Sequence, residues 1–398
     1  MIGYQAFADL CQSSDCDERG HAAHLAARAY LSHTGPADEH AALYAVLINF
    51  LDDSSVKVRA ALAYGLLHSE EAPRPIIISL LHDSPIIARA VLQYSPILID
   101  ADLAPLAKAG ELQTLVAISQ RKPLSGRIAG LLIGRDCPDI TLSLLQRDDI
   151  ALAGDVLSTL AMAKGDDARL RGAMLARRDL PATARLLLVR KVSESLRGCR
   201  LVKGSIIPSR LDKLLRDGTD KAVSVIGETV PADDGFADQL VKAGQINTRL
   251  LLHAMVSGHV MFFSRCIAAL ADVGQDKVFS LLANGSKASL NALLGRTGLD
   301  PAICRLLARI VVLARTTDVS DDLAARHYVV TALTEELVGE YDGLIPDALE
   351  EAFAYLSEQN VVLARRAARG VMSAFVQTPS GALPLPGVQD DRLALPAA

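Results

Sequence analysis

The hydrophobic pattern of this chain is helical almost throughout, and one stretch of it occurs twice. Apolar residues recur at intervals of three and four, which places them on one face of a helix. Between positions 51 and 94, eight residues recur 30 positions later. The first copy is Leu51, Asp53, Ser54, Val56, Arg59, Ala60, Leu62 and Tyr64, and the second is Leu81, Asp83, Ser84, Ile86, Arg89, Ala90, Leu92 and Tyr94. A repeat of this length holds a pair of short helices, so the pattern predicts an all-α protein, an α-solenoid of helical pairs.

The helical pattern continues beyond the repeat and changes character once. From 96 to 200 short apolar segments alternate with turns, and such short helices must stack on their neighbours to bury their apolar faces. Gly, Ser and Pro meet at 204–208, which indicates a boundary. We therefore expect a repeat domain over residues 1–203 and a further helical domain over 204–377. The segment 378–398 contains four Pro and two Gly without helical periodicity, and we expect it to be disordered or extended on the surface.

An aspartate precedes an arginine by six positions in both copies of the repeat, as Asp53 with Arg59 and Asp83 with Arg89. This spacing resembles the HEAT repeat, in which such an aspartate caps the second helix and neighbouring Asp and Arg side chains pair between repeats. Capping oxygens and charge-assisted hydrogen bonds supply the physical reason. The resemblance implies HEAT-like pairs, with these four residues as structural contacts between repeats rather than ligands for a substrate.

Two longer stretches resemble a bacterial family. The first is residues 18–101, with GHAAHLAARAYL near its start, and the second lies in the later half of the chain. The residues that carry the second part are Leu250, Leu251, His253, Ala254, Gly258, Phe262, Phe263, Leu270 and Ala271. Together they are similar to an alphaproteobacterial family known only as a domain of unknown function. The resemblance implies HEAT-like helical repeats in a cytoplasmic bacterial protein, and it brings no catalytic residues with it.

Composition adds limits to this picture. Hydrophobic residues make up 50% and aromatic residues 4%, with no Trp, so the core is expected to consist of Ala, Leu, Val and Ile. The net charge of −5 gives no overall attraction to nucleic acid or anionic lipid. The six cysteines include no C-x-x-C pair, which is typical of reduced thiols in the cytoplasm. No apolar run is long enough for a membrane span, so we expect none.

Two motifs resemble functional sites only superficially. Cys11, Cys16, His21 and His24 have a spacing that superficially suits zinc, but the cysteines are not in a tight turn and the histidines fall in an alanine-rich helix. His253 resembles the phospho-accepting histidine of a phosphotransfer domain faintly, yet no lysine and glycine follow it at the expected place. The familiar catalytic and nucleotide-binding motifs are missing as well. We therefore expect no catalytic residue, no metal and no cofactor.

The sharpest local signal is electrostatic. Between Arg185 and Arg216 there are nine basic and two acidic residues, a local charge of +7 in a protein of net −5. The residues we expect to bind an anionic partner are Arg185, Arg190, Lys191, Arg197, Arg200 and Lys203. A solvated helix face is the alternative, and no aromatic residue lies among the basic ones, which disfavours nucleic acid.

Function can be stated only as a class. A solenoid gives an extended surface, so the leading prediction is a non-enzymatic scaffold or adaptor that binds an unidentified protein partner. One alternative is a binder of nucleic acid or of a phosphate-bearing ligand through residues 185–216. The other is a HEAT-like enzyme with a cryptic site.

Overall fold

Every regular element of this protein is helical. The structure is a computed structural model that describes residues 4–231, 234–317 and 322–377. It is 75% helical, and the described part of the chain contains 23 α-helices and no strand. The prediction of an all-α fold is therefore confirmed. The proline-rich segment 378–398 lies outside the described residues.

The chain divides into two compact units, Met1–Ser195 and Leu196–Ala398. The sequence predicts a boundary slightly later, between residues 203 and 204. The division falls inside a continuous helix whose first half buries Leu186 and Leu188, whereas its residues from 194 onward are exposed. Core packing therefore ends before the glycine and proline signals begin.

The first unit contains α1 to α13, of which α13 continues past the boundary. Their bounds are α1 Tyr4–Cys11, α2 Cys16–Leu31, α3 Ala37–Leu51, α4 Val56–Leu66, α5 Arg74–Leu81, α6 Pro85–Tyr94, α7 Asp100–Ala109, α8 Leu112–Ser119, α9 Gly126–Ile133, α10 Pro138–Leu145, α11 Gly154–Lys164, α12 Ala168–Ala176 and α13 Ala182–Gly198. Most are two or three turns long. Helices this short are marginal alone, so their stability comes from packing on their neighbours.

Small residues bring α2 and α4 close together. α2 buries the stripe Ala22, Ala23, Ala26 and Ala27. Opposite this stripe, a β-carbon on Gly65 of α4 would lie only 2.5 Å from Cβ of Ala27. The two helices can approach this closely only because α4 has a glycine at that position.

The predicted apolar stripes of the repeat form the core of its second helices. The buried members are Val58, Leu62 and Leu66 on α4 and Val91 and Leu92 on α6. α6 ends at Tyr94, just before Ser95-Pro96, because proline cannot continue the helical hydrogen bonding.

A series of arginines, here called the arginine–carbonyl series, joins successive helix ends in the first unit. Its bonds run from Arg121 to the carbonyl oxygens of Leu92 and Ser95, from Arg147 to those of Ser119 and Arg121, and from Arg177 to those of Leu145, Arg147 and Ile150. The last carbonyls of a helix have no partner within it and carry partial negative charge. Each guanidinium therefore satisfies the helix end of the preceding pair.

The second unit contains α14 to α23 and one short 3-10 turn. Their bounds are α14 Arg200–Ser205, α15 Pro208–Thr229, α16 Phe236–Lys242, α17 Thr248–Val256, α18 Val260–Ala271, α19 Gln275–Asn284, α20 Lys287–Leu294, the 3-10 turn Gly295–Thr297, α21 Pro301–Ala314, α22 Leu323–Glu340 and α23 Asp347–Gln377. The last two are long helices of 18 and 31 residues. Within the described ranges, no helix combines the length and apolar character needed to cross a membrane.

The core of the second unit repeats two devices of the first. A β-carbon on Gly227 of α15 would lie 1.9 Å from Cδ2 of Phe262, so the ring of α18 packs directly against helix backbone. Arg265 donates to the carbonyl oxygens of Gly227 and Val230 at 2.7 and 2.8 Å, where α15 ends. Arg315 does the same for the carbonyls at the end of α19.

Candidate interaction surface

Four ring side chains form a row at the surface of the first unit, and all but the half-buried His24 are exposed. His24 of α2, Tyr64 of α4, His68 in the turn after α4 and Tyr94 of α6 are called the histidine–tyrosine surface here. The ring centroids of His24 and Tyr64 lie 5.5 Å apart, and those of His68 and Tyr94 lie 5.4 Å apart. Tyr64 is 68% exposed and Tyr94 is 50% exposed, so these rings face solvent although each has a stacking partner.

The repeat itself builds this row. Tyr64 and Tyr94 are equivalent positions, so both project from the same place on consecutive second helices. His68 lies in the turn that follows α4, and its ring lies beside that of Tyr94. The close approach of α2 at Gly65 brings His24 within reach of Tyr64. The sequence contained the signal, since both tyrosines belong to the repeated set, but it did not show that they remain exposed.

An open groove of about 910 Å³ lies beside these rings, between α2 and α4. It is lined by His24, Leu25, Arg28, Ala29, Leu31, Ser32, Tyr64, Gly65, His68 and Ser69. Arg28 is exposed and makes no hydrogen bond or ion pair with any described residue, and Nδ1 of His24 is buried without a partner there. The lining contains no carboxylate, although Glu70 and Glu71 follow its last residue. The groove thus offers aromatic faces and nitrogen donors.

The Asp and Arg residues of the repeat pair across successive helical pairs. Arg59 donates to both carboxylate oxygens of Asp83 at 2.6 and 2.8 Å, and also to the backbone carbonyl of Asp53. The two carboxylate oxygens of Asp53 accept hydrogen bonds of 2.7 and 3.3 Å from the guanidinium of Arg19 of α2. Hydrogen bonding by the arginine holds the pKa of each aspartate below its usual value. Arg89 is exposed and pairs with no described residue, so the ladder ends there.

The aspartates do not occupy the capping position that the HEAT resemblance implies. Ser55 and Ser84 are the N-cap residues of α4 and α6, and neither uses its side chain to cap the helix. The carboxylate of Asp53 instead accepts the N–H of Ser55 at 2.7 Å, one step before the helix. Each aspartate therefore orients the turn that leads into the second helix while it holds an arginine.

Most of the basic residues predicted to bind a partner are engaged internally. Arg185 donates to two carbonyls at the end of α12, at 2.8 and 2.5 Å, and burial lowers its pKa. Lys191 bonds to Asp166 at 2.7 Å, and Arg197 bonds to Asp212 at 3.1 Å. These contacts support stacking and helix packing more than the capture of a ligand.

The other three basic residues differ in accessibility. Arg190 is half-buried and also has a partner, whereas Arg200 and Lys203 are exposed and their side chains form no hydrogen bond or ion pair with the described residues. Arg185, Arg190 and Lys191 belong to the first unit, and Arg197, Arg200 and Lys203 belong to the second. Between them Cys199 is an exposed thiol whose pKa is lowered by the backbone N–H groups of the following turn.

A buried polar network joins three helices of the second unit, α15, α17 and α23. Arg249 bonds to Asp217 and to Asp220, the latter at 3.1 Å, and its guanidinium lies 4.9 Å from the ring centre of Tyr355. The hydroxyl of Tyr355 shares a hydrogen bond of 2.8 Å with Nδ1 of His253. Sequence reasoning missed this network, because Tyr355 and His253 are 102 positions apart and no periodicity connects them.

Burial controls the protonation of this network. It lowers the pKa of His253 to about 4, helped by nearby positive charge, and it raises the pKa of Tyr355. Burial also raises the pKa of Asp220 in spite of the ion pair with Arg249. His253 is therefore neutral near pH 7, with Nε2 lying 3.3 Å from the hydroxyl of Ser257.

The cavities and the group of possible metal ligands described next do not include residues of this network. The groove above and three further cavities, of about 560, 350 and 190 Å³, are lined by other residues than His253. One group of three possible metal ligands forms within the described ranges, at the exposed start of α2. It consists of Asp15, Cys16 and Asp17, and the two histidines of the zinc-like spacing are not part of it.

Fold and surfaces together define an all-α helical-repeat protein. Residues 87–347 match the model of a family described as an uncharacterised protein conserved in bacteria (DUF2336). That match spans more than half of the chain, so the chain belongs to this family, and the predicted membership in a domain-of-unknown-function family is confirmed at that level. No curated protein and no solved structure matches the chain.

Proposed function

We propose that this protein is a non-enzymatic adaptor, a HEAT-like helical-repeat scaffold that binds a protein partner through the histidine–tyrosine surface. The observation that carries the proposal is the row of four rings, in which the repeat holds Tyr64 and Tyr94 exposed to solvent. Tyrosine supplies a large, rigid contact area with a polar end and is enriched where proteins bind one another. A row built by equivalent positions suits an elongated partner segment.

Several features support the HEAT-like part of the proposal. Helical pairs stack in order, and the Arg59 and Asp83 bond joins one pair to the next. All six cysteines are free, which supports the prediction of a reduced, cytoplasmic protein. The restriction to alphaproteobacteria that the resemblance implies stays a prediction.

The partner segment is expected to be acidic. Arg28 is exposed and makes no ion pair with a described residue, and the imidazoles of His24 and His68 add N–H donors beside it. Carboxylates are the acceptors that arginine binds best, through two parallel hydrogen bonds. An acidic residue flanked by apolar ones would bond to Arg28 while its neighbours pack on the tyrosine rings.

A photo-crosslinking experiment in the native cells tests the proposal. A photoreactive phenylalanine analogue is placed at Tyr64 or Tyr94, and at Tyr328 of the second unit as a control of similar exposure, 60%. We expect one protein to be crosslinked from positions 64 and 94 and not from 328, and we expect Arg28→Glu to abolish the product. The same products from all three positions, or no product from 64 and 94, would refute the proposal.

The alternative of a nucleic acid or phosphate binder has weaker support. Arg185, Lys191 and Arg197 already have internal partners, so the basic stretch offers fewer accessible cations than its composition suggests. A cryptic enzymatic site has no specific observation in its favour.

A further inference from the structure

The segment from Arg200 to Leu214, here called the 200–214 element, exposes large aliphatic side chains on the second unit. It consists of α14, the turn after it and the start of α15. Leu201 is 77% exposed, Ile207 is 70% exposed and Leu214 is 50% exposed. None of the residues of α14 is buried.

Such a helix gains almost nothing from the core of its own unit. A six-residue helix is far below the length at which helices are stable alone in water. Three large aliphatic side chains in solvent also forgo the stabilisation that burial would give them. The arrangement is favourable where something outside the unit covers the element.

The charges of the element indicate what covers it. Arg200, Lys203 and Arg210 are exposed, and their side chains form no hydrogen bond or ion pair with the described residues. The other charges of the element are neutralised within the second unit, since Asp212 pairs with Arg197 and Lys213 pairs with Glu358. Three cations therefore remain available beside the aliphatic side chains, with no available carboxylate inside the element.

The shape of the element favours a flat partner over a peptide. Ile207, Arg210 and Leu214 follow one another at i, i+3 and i+7, so they share one face at the start of α15. None of the four cavities described above contains a residue of the element. Projecting aliphatic residues among cations are typical of segments that lie at a lipid surface.

We propose that the 200–214 element binds the surface of anionic membranes. The side chains of Leu201, Ile207 and Leu214 enter the boundary between headgroups and acyl chains, while Arg200, Lys203 and Arg210 bond to lipid phosphates. The net charge of −5 does not oppose this strongly, because screening limits charge interactions in solution to about 8 to 10 Å at physiological salt. The element adds a membrane attachment that is independent of the proposed adaptor surface on the first unit.

Vesicle sedimentation with the full chain tests the proposal. Vesicles contain either phosphatidylcholine alone or a mixture with about 40% phosphatidylglycerol, and NaCl is varied from about 50 to 500 mM. We expect binding to the anionic vesicles only, and weaker binding as salt increases. Replacing Arg200, Lys203 and Arg210 by Gln should lower the partition coefficient roughly 100-fold, because each of the three cations near an anionic surface contributes about fivefold.

A second variant tests insertion, and a third serves as the control. The double variant Leu201→Ser and Ile207→Ser should lower binding roughly 10- to 100-fold through lost apolar contact with the lipid. The matched control is Arg296→Gln with Leu344→Ser, two residues of the second unit that are also exposed. It should bind as the parent chain does. All substituted side chains are exposed, so each variant should keep the helical circular dichroism of the parent.

Three results would overturn the proposal. The first is that the parent chain fails to sediment with anionic vesicles. The second is that the variants of the element bind as well as the control, which would place lipid binding elsewhere. The third is that the chain does not bind vesicles but captures an acidic protein through the same six residues, which would make the element a protein-binding site. Loss of binding in the charge variant but not in the double Ser variant would refute insertion.

Discussion

Acidification should destabilise the second unit through His253. Burial lowers the pKa of this imidazole to about 4 in the folded protein, from about 6.5 in an unfolded chain. Between these values the unfolded chain binds a proton that the folded protein does not, so the unfolded state is favoured as the pH falls. The stabilisation is complete above pH 6.5 and is lost progressively toward pH 4.

The magnitude follows from the same two pKa values. At about pH 5.5 an unfolded imidazole is roughly tenfold more protonated than neutral, which corresponds to about 1.4 kcal/mol of lost stability relative to pH 8. The nearby His259 acts in the same direction, because burial lowers its pKa as well. Asp220 acts in the opposite direction, because burial raises the pKa of its carboxyl. The contribution of His253 is therefore read from a variant rather than from the parent curve alone.

The assay is urea unfolding of the full chain, followed by helical circular dichroism between about pH 5.5 and 8. In His253→Asn the amide can still bond to the hydroxyl of Tyr355 but has no proton to gain in this range. We expect the free energy of unfolding of the variant to fall by about 1.4 kcal/mol less than that of the parent over this interval. The exposed His21→Asn is the control and should keep the parent slope. Equal slopes for His253→Asn and the parent would refute the assignment, whatever the absolute stability of the variant.

Three further predictions concern stability and thiol reactivity. Gly227→Ala should destabilise the protein by about 1 to 3 kcal/mol in urea unfolding, because the added methyl group meets Phe262. Gly218→Ala in the same helix has open space around it and should stabilise the protein by about 0.5 to 1 kcal/mol. Equal effects of the two substitutions would contradict the packing described for α15. Arg59→Gln should cost about 1.5 to 3 kcal/mol because it leaves a half-buried carboxylate unpaired, while Arg89→Gln, at the open end of the ladder, should stay within about 0.5 kcal/mol in the same assay. Cys199 should be alkylated by iodoacetamide before the other five cysteines, as read by peptide mass spectrometry, because its thiol is exposed and its pKa is lowered; first labelling at any other cysteine would contradict this.

Hydrophobic periodicity was enough to predict the all-α fold, because each short helix buries one face and that face appears in the sequence as a regular apolar stripe. The stripe that contains Val58 and Leu62 is buried, as helical periodicity requires, and α6 ends just before Ser95-Pro96. The domain boundary was harder to predict, since glycine and proline report local backbone preference and the division follows core packing. Leu186 and Leu188 mark the end of that packing without any turn signal nearby.

The surfaces were less predictable than the fold for a physical reason. A repeated tyrosine such as Tyr64 reads equally well as core or surface, because periodicity gives relative and not absolute exposure. A basic residue such as Arg185 likewise does not show whether it faces solvent or a backbone carbonyl, and here it faces the carbonyls at the end of α12. The network of His253 and Tyr355 depends on contact between distant helices, which a single sequence does not encode in any local pattern.

The arginine–carbonyl series has a consequence for how this protein can be shortened. The loops suggest that each helical pair can be cut out as a unit. However, the arginine that binds the last carbonyls of each pair comes from the following pair. A chain cut after Gln120 would keep α6 but lose Arg121, which donates to the carbonyl oxygens of Leu92 and Ser95. These buried carbonyls would then have no partner. The segment that is stable on its own therefore extends past the loop that ends each helical pair, as far as the next arginine. Truncation or domain exchange should therefore cut just beyond an arginine of the series.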